Sequence, residues 1–300
     1  FIYWVSLSLG CLLLLMIHHL AGGRWGFALR RLLEGGTRTL LLMFVLGIPV
    51  LLGIHELYEW SHEDVVAADE ILQKKAVFLN PTFFVIRYII YFLLWGGLAA
   101  LLNRWTAEQD STTETSPTRR MQILSGPGVV VFVLVTTFAA IDWIMSLEPH
   151  WFSTMLGPWF FMGAFWAGIA ATALWSMYLR TQHEDFHRHI GLQQRHDIGK
   201  LAFGFCVFWT YLFFSQYIVI WYGKLPWEQA WIVRRSDEVW GGLSGLVILL
   251  CFVIPFAGLI GRKPKTNPVL LAFFTSVILI GMWLERYVML APSLHHEGDP

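Results

Sequence analysis

Residues 127–154 read PGVVVFVLVTTFAAIDWIMSLEPHWFST, an apolar run that ends in two acids and an imidazole. Asp142 lies inside the apolar run, and Glu148 and His150 follow it in the next loop. Because a carboxylate in hydrocarbon is costly, an acid at such a position marks a candidate functional site. An acid and a histidine at one membrane face are typical of a protein that handles protons or a proton-carrying ligand.

The composition indicates an integral membrane protein. Of 300 residues, 56% are hydrophobic and 14% are charged, the net charge is zero, and there are 16 Trp. A neutral chain without a basic surface gives no sign of a nucleic-acid partner, so the lipid bilayer is the expected surrounding.

Eight apolar segments are about 20 residues long, the length that crosses the hydrocarbon layer as a helix. They lie near 1–20, 39–58, 83–102, 127–147, 157–179, 200–222, 238–260 and 268–291. Backbone groups in lipid must hydrogen-bond internally, and no alternating barrel pattern occurs, so we predict an all-α transmembrane fold. The chain begins at Phe1 inside an apolar run, and we expect it to be a fragment of a longer protein.

The connections between segments predict an orientation. Those after the first, third, fifth and seventh segments hold fourteen Lys and Arg, against five in those after the second, fourth and sixth. This bias predicts that the first set is cytoplasmic and that the loop at 146–154 faces outward. We also expect a flexible cytoplasmic linker at 106–118, a helix that begins at Pro127, and a kink at Pro255.

The sequence gives no support for a redox centre on this chain. Cys11, Cys206 and Cys251 are far apart in apolar segments, without the paired spacing of an iron–sulfur cluster or a c-type haem. No two histidines match in depth as ligands of a membrane haem, and His18 and His19 are expected to be solvated at the end of the first segment. We therefore expect no covalently bound cofactor and no metal site.

Ionisable groups inside the segments gather in the predicted outer half. His18 and His19 are the exception. Counted together with polar and aromatic residues at the same level, these groups come from five different segments: His55, Glu56, Arg87, Asp142, Gln216, Tyr217, Glu285 and Arg286. Anchoring at the lipid interface would explain the long side chains. A short acid cannot reach the interface as easily, so Asp142 is expected either to pair with Arg87 or Arg286 or to handle protons.

Four blocks of sequence carry a resemblance to a known family. Residues 142–154, together with 18–31, 80–92 and 214–226, resemble the second quinone-binding membrane subunit of alternative complex III, a bacterial quinol:cytochrome c oxidoreductase. That subunit is related to the polysulfide-reductase-type membrane anchors. The segment 227–231 departs from the pattern, since two consecutive acids would be expected after Leu-Pro.

The resemblance implies a ten-helix subunit built around two four-helix bundles, with one helix missing from each end of this chain. Residues 1–147 would form the first bundle, 148–291 the second, and 292–300 a polar outer tail. The protein would lie in the bacterial inner membrane with an iron–sulfur subunit, multi-haem cytochrome c subunits and a related quinone-binding membrane subunit. Those partners would carry the electrons.

The leading hypothesis is therefore a subunit of a respiratory complex that contributes to quinol binding or proton transfer near the outer face, without its own redox-centre motifs. The candidate proton-transfer groups are Asp142, His55, Glu148 and His150, and the candidate quinol-site or ion-pair residues are Arg87, Gln216, Tyr217 and Arg286. A catalytically silent scaffold for the redox subunits is the alternative. A secondary transporter is less favoured, because no internal repeat matches the break at Pro255.

Overall fold

A computed structural model describes residues 1–295, apart from the side chain of Arg24, and every regular element in that range is helical. Eight helices are long and apolar enough to cross a membrane, which confirms the predicted fold class. They are α1 (Ile2–Ala21), α2 (Trp25–Leu52), α3 (Pro81–Ser111), α4 (Ser116–Leu147), α5 (Leu156–Gln182), α6 (Leu192–Gly223), α7 (Gly241–Leu259) and α8 (Pro268–Leu294).

Two helix starts show why the chain becomes helical where it does. The Asn80 side chain accepts a hydrogen bond from the Phe83 amide at 2.9 Å, and Pro81 fills the first helical position of α3. Asn267 caps α8 in the same way, through the Val269 amide at 2.9 Å, and is also followed by proline. These caps satisfy amide groups that have no partner inside the helix.

Several predicted boundaries were wrong. Helix α2 begins fifteen residues or so earlier than the segment at 39–58, because its charged first turns form ion pairs, such as Arg31 to Glu34 at 2.8 Å, instead of a loop. The expected linker at 106–118 is helical except at 112–115, and Pro127 lies inside α4 instead of starting it.

The expected irregularity at Pro255 is present in α7. The turn that precedes it, Leu249–Val253, is a π-helix. Proline has no N–H for the carbonyl four residues earlier, and that carbonyl, on Cys251, accepts a bond from the Cys206 thiol at 3.4 Å. A π-bulge and a neighbouring donor thus accommodate the proline within the membrane span.

Helices α1 and α5 form the centre of the molecule. Both bury most of their residues, whereas α2, α6 and α7 bury less than a third of theirs. They cross where Gly10 meets Gly168, and a Cβ atom on Gly10 would overlap the Ala164 carbonyl. Small residues of this kind let helix backbones approach closely in membranes. Around this crossing, α1 also contacts α2 and α4, and α5 also contacts α6 and α8.

Three connections, 53–80, 148–155 and 224–240, meet at one end of the helices, which we call the Glu148 face. The Trp60 indole donates to the Ser146 carbonyl at 3.1 Å, and Trp151 stacks on Trp231 with ring centroids 4.6 Å apart. The charge distribution predicts that this face is outward. The predicted polar tail at 292–300 begins as helix, since α8 continues to Leu294, and residues 296–300 lie outside the described residues.

Candidate functional site

Asp142 is held by a network that uses both of its carboxylate oxygens. Arg87 donates from Nε to Oδ2 and from Nη2 to Oδ1, each at 2.7 Å, and the Tyr91 hydroxyl donates to Oδ2 at 2.6 Å. Arg87 and Tyr91 lie four residues apart on α3, so they share one face of the helix. Arg87 also donates to the Phe78 carbonyl at 2.8 Å and lies over the Phe78 ring.

This network neutralises Asp142 within the protein. The side chain is 1% exposed, and a two-bond pair to arginine is among the strongest ion-pair geometries. The sequence left two candidate partners for Asp142, and the structure shows that Arg87 is the one that binds it. Among the five main cavities of the described chain, none includes Asp142 in its lining.

The histidines of the Glu148 face do not join Asp142. His55 is exposed, and its Nδ1 lies 3.1 Å from the Ser61 hydroxyl. His150 is half exposed and pairs with Asp69, with Nε2 2.6 Å from Oδ2. The Leu72 amide and, to a smaller extent, His150 lower the pKa of the Asp69 carboxyl below its ordinary value. Both histidines therefore belong to the surface of this face.

Glu148 pairs with an arginine that the sequence analysis did not single out. Its Oε1 lies 3.2 Å from Arg235 Nη1 and accepts a bond from the Ser293 hydroxyl at 2.5 Å. Arg235 is buried, donates to the Met289 carbonyl at 2.8 Å and lies 3.7 Å above the Trp231 ring. Burial lowers the pKa of the Arg235 guanidinium to about 10, against the opposing effect of Glu148, so it carries a charge at neutral pH.

Arg286 pairs with its own neighbour on α8. Its Nη1 lies 2.9 Å from Glu285 Oε2 and donates to Oε1 at 3.2 Å, and both side chains are almost fully buried. Arg286 also donates to the Phe160 carbonyl at 2.9 Å and lies over that ring. Gly163 makes room for it, because a Cβ atom there would lie 2.7 Å from Nη2.

A cavity of about 300 Å³ opens beside this pair, between α5, α6, α7, α8 and the short helix Pro226–Arg234. We call it the Gln216 cavity. Its walls are mostly apolar, and its lining comprises Trp159, Phe213, Phe214, Gln216, Tyr217, Trp231, Ile232, Arg235, Ser236, Ser244, Val247, Ile248, Glu285, Val288 and Met289. Apolar walls with a few polar groups are typical of small-molecule sites.

Four buried polar atoms of this lining make no hydrogen bond within residues 1–295. They are the Nε1–H of Trp159, the Nε–H of Arg235, the Oε1 of Gln216 and the Oε2 of Glu285, and the last of these is in ion-pair contact with Arg286 Nη1 at 2.9 Å. Such atoms are rare in native proteins because each costs desolvation energy without a compensating bond. Donors and acceptors without hydrogen bonds thus both line an apolar cavity, which suits a ligand that both donates and accepts hydrogen bonds.

The structure groups the predicted site residues into separate places. Gln216 and Tyr217 line the cavity, and Arg286 supports its wall through Glu285. Asp142 with Arg87 and Glu148 with Arg235 form two other clusters. Trp159 was missed, because a tryptophan near a helix end is also typical of an interfacial belt. His18 and His19, expected to be solvated, are buried instead.

A scan of the chain against protein-family models found no match, and a search of curated proteins found none.

Proposed function

We propose that this multi-pass membrane protein is a subunit of a respiratory quinol-oxidising complex and that it binds the quinol ring in the Gln216 cavity. The observation that carries the proposal is the presence of buried polar atoms without hydrogen bonds, above all on Trp159 and Gln216, in an otherwise apolar lining. The resemblance of residues 142–154 and 214–226 to the alternative complex III subunit supports the choice of ligand.

The chemistry of a quinol fits these atoms. Its ring needs apolar walls, its two hydroxyl groups donate hydrogen bonds, and their oxygen atoms accept them. Gln216 and Glu285 offer acceptors, and the Trp159 indole offers a donor. Phe214, Tyr217 and Ile248 in the cavity lining have exposed side chains, which gives an isoprenoid tail a way into the lipid.

The proposal also assigns a role to Glu285. As electrons leave the quinol, a base within hydrogen-bond reach would accept a hydroxyl proton, and Glu285 is the acidic residue of the cavity lining. The electrons would pass to iron–sulfur and multi-haem cytochrome c subunits of the complex. The orientation predicted from the loop charges would have the protons leave towards the outer side of a bacterial inner membrane.

Equilibrium binding of a short-chain quinone in its reduced, quinol form to the full-length protein, with any copurifying subunits, tests the proposal. Gln216→Leu should lower the affinity about tenfold, as expected for the loss of one hydrogen bond to a buried group. The matched control is Thr136→Val, which removes another buried, unpartnered oxygen that is not part of the cavity lining. Equal affinities for wild type and Gln216→Leu would refute the site.

A catalytically silent scaffold is the second candidate, and the neutralised Asp142 favours it for the first half of the chain. An acid that accepts three short bonds is built to hold α3 against α4. Asp142→Asn should then lower the yield of assembled complex and leave the turnover of each assembled complex unchanged. A loss of turnover in fully assembled complexes would instead assign Asp142 to proton transfer.

A further inference from the structure

A second cavity lies on the opposite half of the molecule, in the groove between α2 and α3. Its volume is about 430 Å³. Its apolar walls include Leu41 and Leu93, whose side chains are largely exposed. Gly96 forms part of its floor, and a Cβ atom there would meet nothing within 4 Å. The groove therefore has room for an additional apolar chain along the lipid-facing surface.

The groove is polar at one end only, where Arg38, Thr37 and Asn103 line it. Arg38 donates from Nε to the Asn103 Oδ1 at 3.1 Å. Asn103 in turn donates to the Thr37 hydroxyl at 2.9 Å and to the Ala99 carbonyl at 2.8 Å. Because the amide of Asn103 is fixed by these bonds, it orients the guanidinium of Arg38 at the mouth of the groove.

Arg38 differs from the other arginines of α2 whose side chains are described. Arg30 and Arg31 both pair with Glu34 and Asp110. Arg38 has no carboxylate within 4 Å in the described part of the chain, and its terminal nitrogens make no bond to the protein there. An exposed guanidinium with free, forked donors is suited to a phosphate.

The length of the groove matches one leaflet of a bilayer. On α3 the lining runs from Asn103 to Ile89, fourteen residues or about 21 Å of helix. One leaflet of a typical bilayer, head-group region included, is about 20–22 Å thick. With the arginine at its end, the groove thus extends from the level of lipid head groups towards the middle of the membrane.

We infer that the groove between α2 and α3 binds a phospholipid, whose phosphate pairs with Arg38 and whose acyl chain lies against Gly96 and its apolar neighbours. The positive charge at the polar end favours a ligand with a phosphate, since a neutral lipid or an apolar helix would leave Arg38 without a partner. A single free arginine fits the single phosphate of phosphatidylglycerol. This inference does not depend on the proposed quinol site.

Native mass spectrometry of the full-length protein, exchanged into mixed phosphatidylglycerol and diacylglycerol micelles, tests the inference. One phosphatidylglycerol should remain bound at activation energies that remove other lipids. Arg38→Leu and Gly96→Leu should each lower its retention about tenfold, the first by removing the charge and the second by filling the groove.

Two controls match these variants. Arg104→Leu removes another exposed arginine, the residue directly after Asn103, and Gly97→Leu adds the same side chain beside the groove, at another glycine with open space around it. Both should retain the lipid. Equal retention in Gly96→Leu and Gly97→Leu, equal retention of diacylglycerol, a preference for cardiolipin, or a second protein chain in place of the lipid would each overturn the inference.

Discussion

Each half of the chain has a buried arginine–acid pair inside a membrane span. The two pairs differ in how completely their polar atoms are hydrogen-bonded. Arg87 and Asp142 come from different helices and make two parallel bonds, with Tyr91 as a third donor. Arg286 and Glu285 are neighbours on α8. Arg286 Nε makes no hydrogen bond in the described part of the chain, and Glu285 Oε2 makes only an ion-pair contact, 2.9 Å from Arg286 Nη1.

Helix geometry explains the difference. Adjacent residues on a helix point about 100° apart, so a neighbouring pair cannot form the two parallel bonds available to residues on facing helices. The pair on α8 is thus incompletely satisfied, and a cavity opens beside it. Exceptions to polar satisfaction concentrate at functional sites in native proteins. We therefore propose a structural role for the pair of Arg87 and Asp142 and a ligand-binding role for the pair of Glu285 and Arg286.

The largest expected effect comes from breaking the first pair. Arg87→Leu leaves Asp142 as a buried charge without its partner, which costs about 3–5 kcal/mol. Unfolding of the purified protein in detergent should show this loss, and the double variant Arg87→Leu/Asp142→Leu should recover most of it. Arg104→Leu, which removes an exposed arginine from the same helix, is the control. An unchanged unfolding midpoint in Arg87→Leu would show that the pair is not structural.

A change at Gln216, beside the second pair, should stabilise the protein, whereas a change in the first pair destabilises it. Gln216→Leu removes a buried acceptor without a partner. This should raise the free energy of unfolding by about 1–3 kcal/mol. The unliganded variant should therefore unfold at a higher temperature than wild type while it loses quinol affinity. A destabilised variant would mean that Gln216 bonds within the protein and is not held ready for a ligand.

A smaller effect is expected from the donor of the cavity. Trp159→Phe keeps an aromatic wall and removes only the indole N–H, so quinone affinity should fall several-fold, by about 1 kcal/mol. Trp209→Phe is the matched control, because Trp209 also has a buried, unpartnered indole N–H but is not part of the cavity lining. Equal affinities of the two variants would remove Trp159 from the site.

The smallest effect belongs to the surface pair of Asp69 and His150, which serves as the solvent-exposed reference for the two buried pairs. The pKa of Asp69 is lower in the folded than in the unfolded protein. Its contribution to stability is therefore fully present above the unfolded pKa, about 4, and is lost as the pH falls through the lower, folded pKa. Asp69→Asn should therefore weaken the drop in unfolding temperature between pH 5 and pH 3. Asp64→Asn, at an exposed acid of the same segment, should leave that drop unchanged; an identical drop in both variants would contradict the prediction.

Much of the fold could be predicted from the sequence, because a span of about 20 apolar residues has one stable conformation in lipid. Helix ends were harder to place. Residues 25–38 carry charges that are typical of a loop, yet they continue α2 because Glu34 and Asp110 pair with its arginines. Pairings of that kind become visible only when the neighbouring helices are placed.

The site was predictable only in part for the same reason. Arg87 was one of two candidate partners of Asp142, and Gln216 and Tyr217 were among the candidate ligand residues. The pairing of Glu148 with Arg235 joins residues 87 positions apart, and the Gln216 cavity depends on how α5, α6, α7 and α8 pack. Periodicity and charge counts contain no information on such packing.

Photo-cross-linking with a reduced quinone that carries an azide on its ring tests most directly whether the Gln216 cavity binds the quinol ring. In membranes that contain the full-length protein, the label should map to the peptides around Gln216 and residues 285–289, and unlabelled quinone should compete with it. Gln216→Leu should remove this labelling, and Thr136→Val should not. Labelling around Arg87 and Asp142, or labelling that unlabelled quinone does not displace, would contradict the assignment of ligand binding to the second half of the chain.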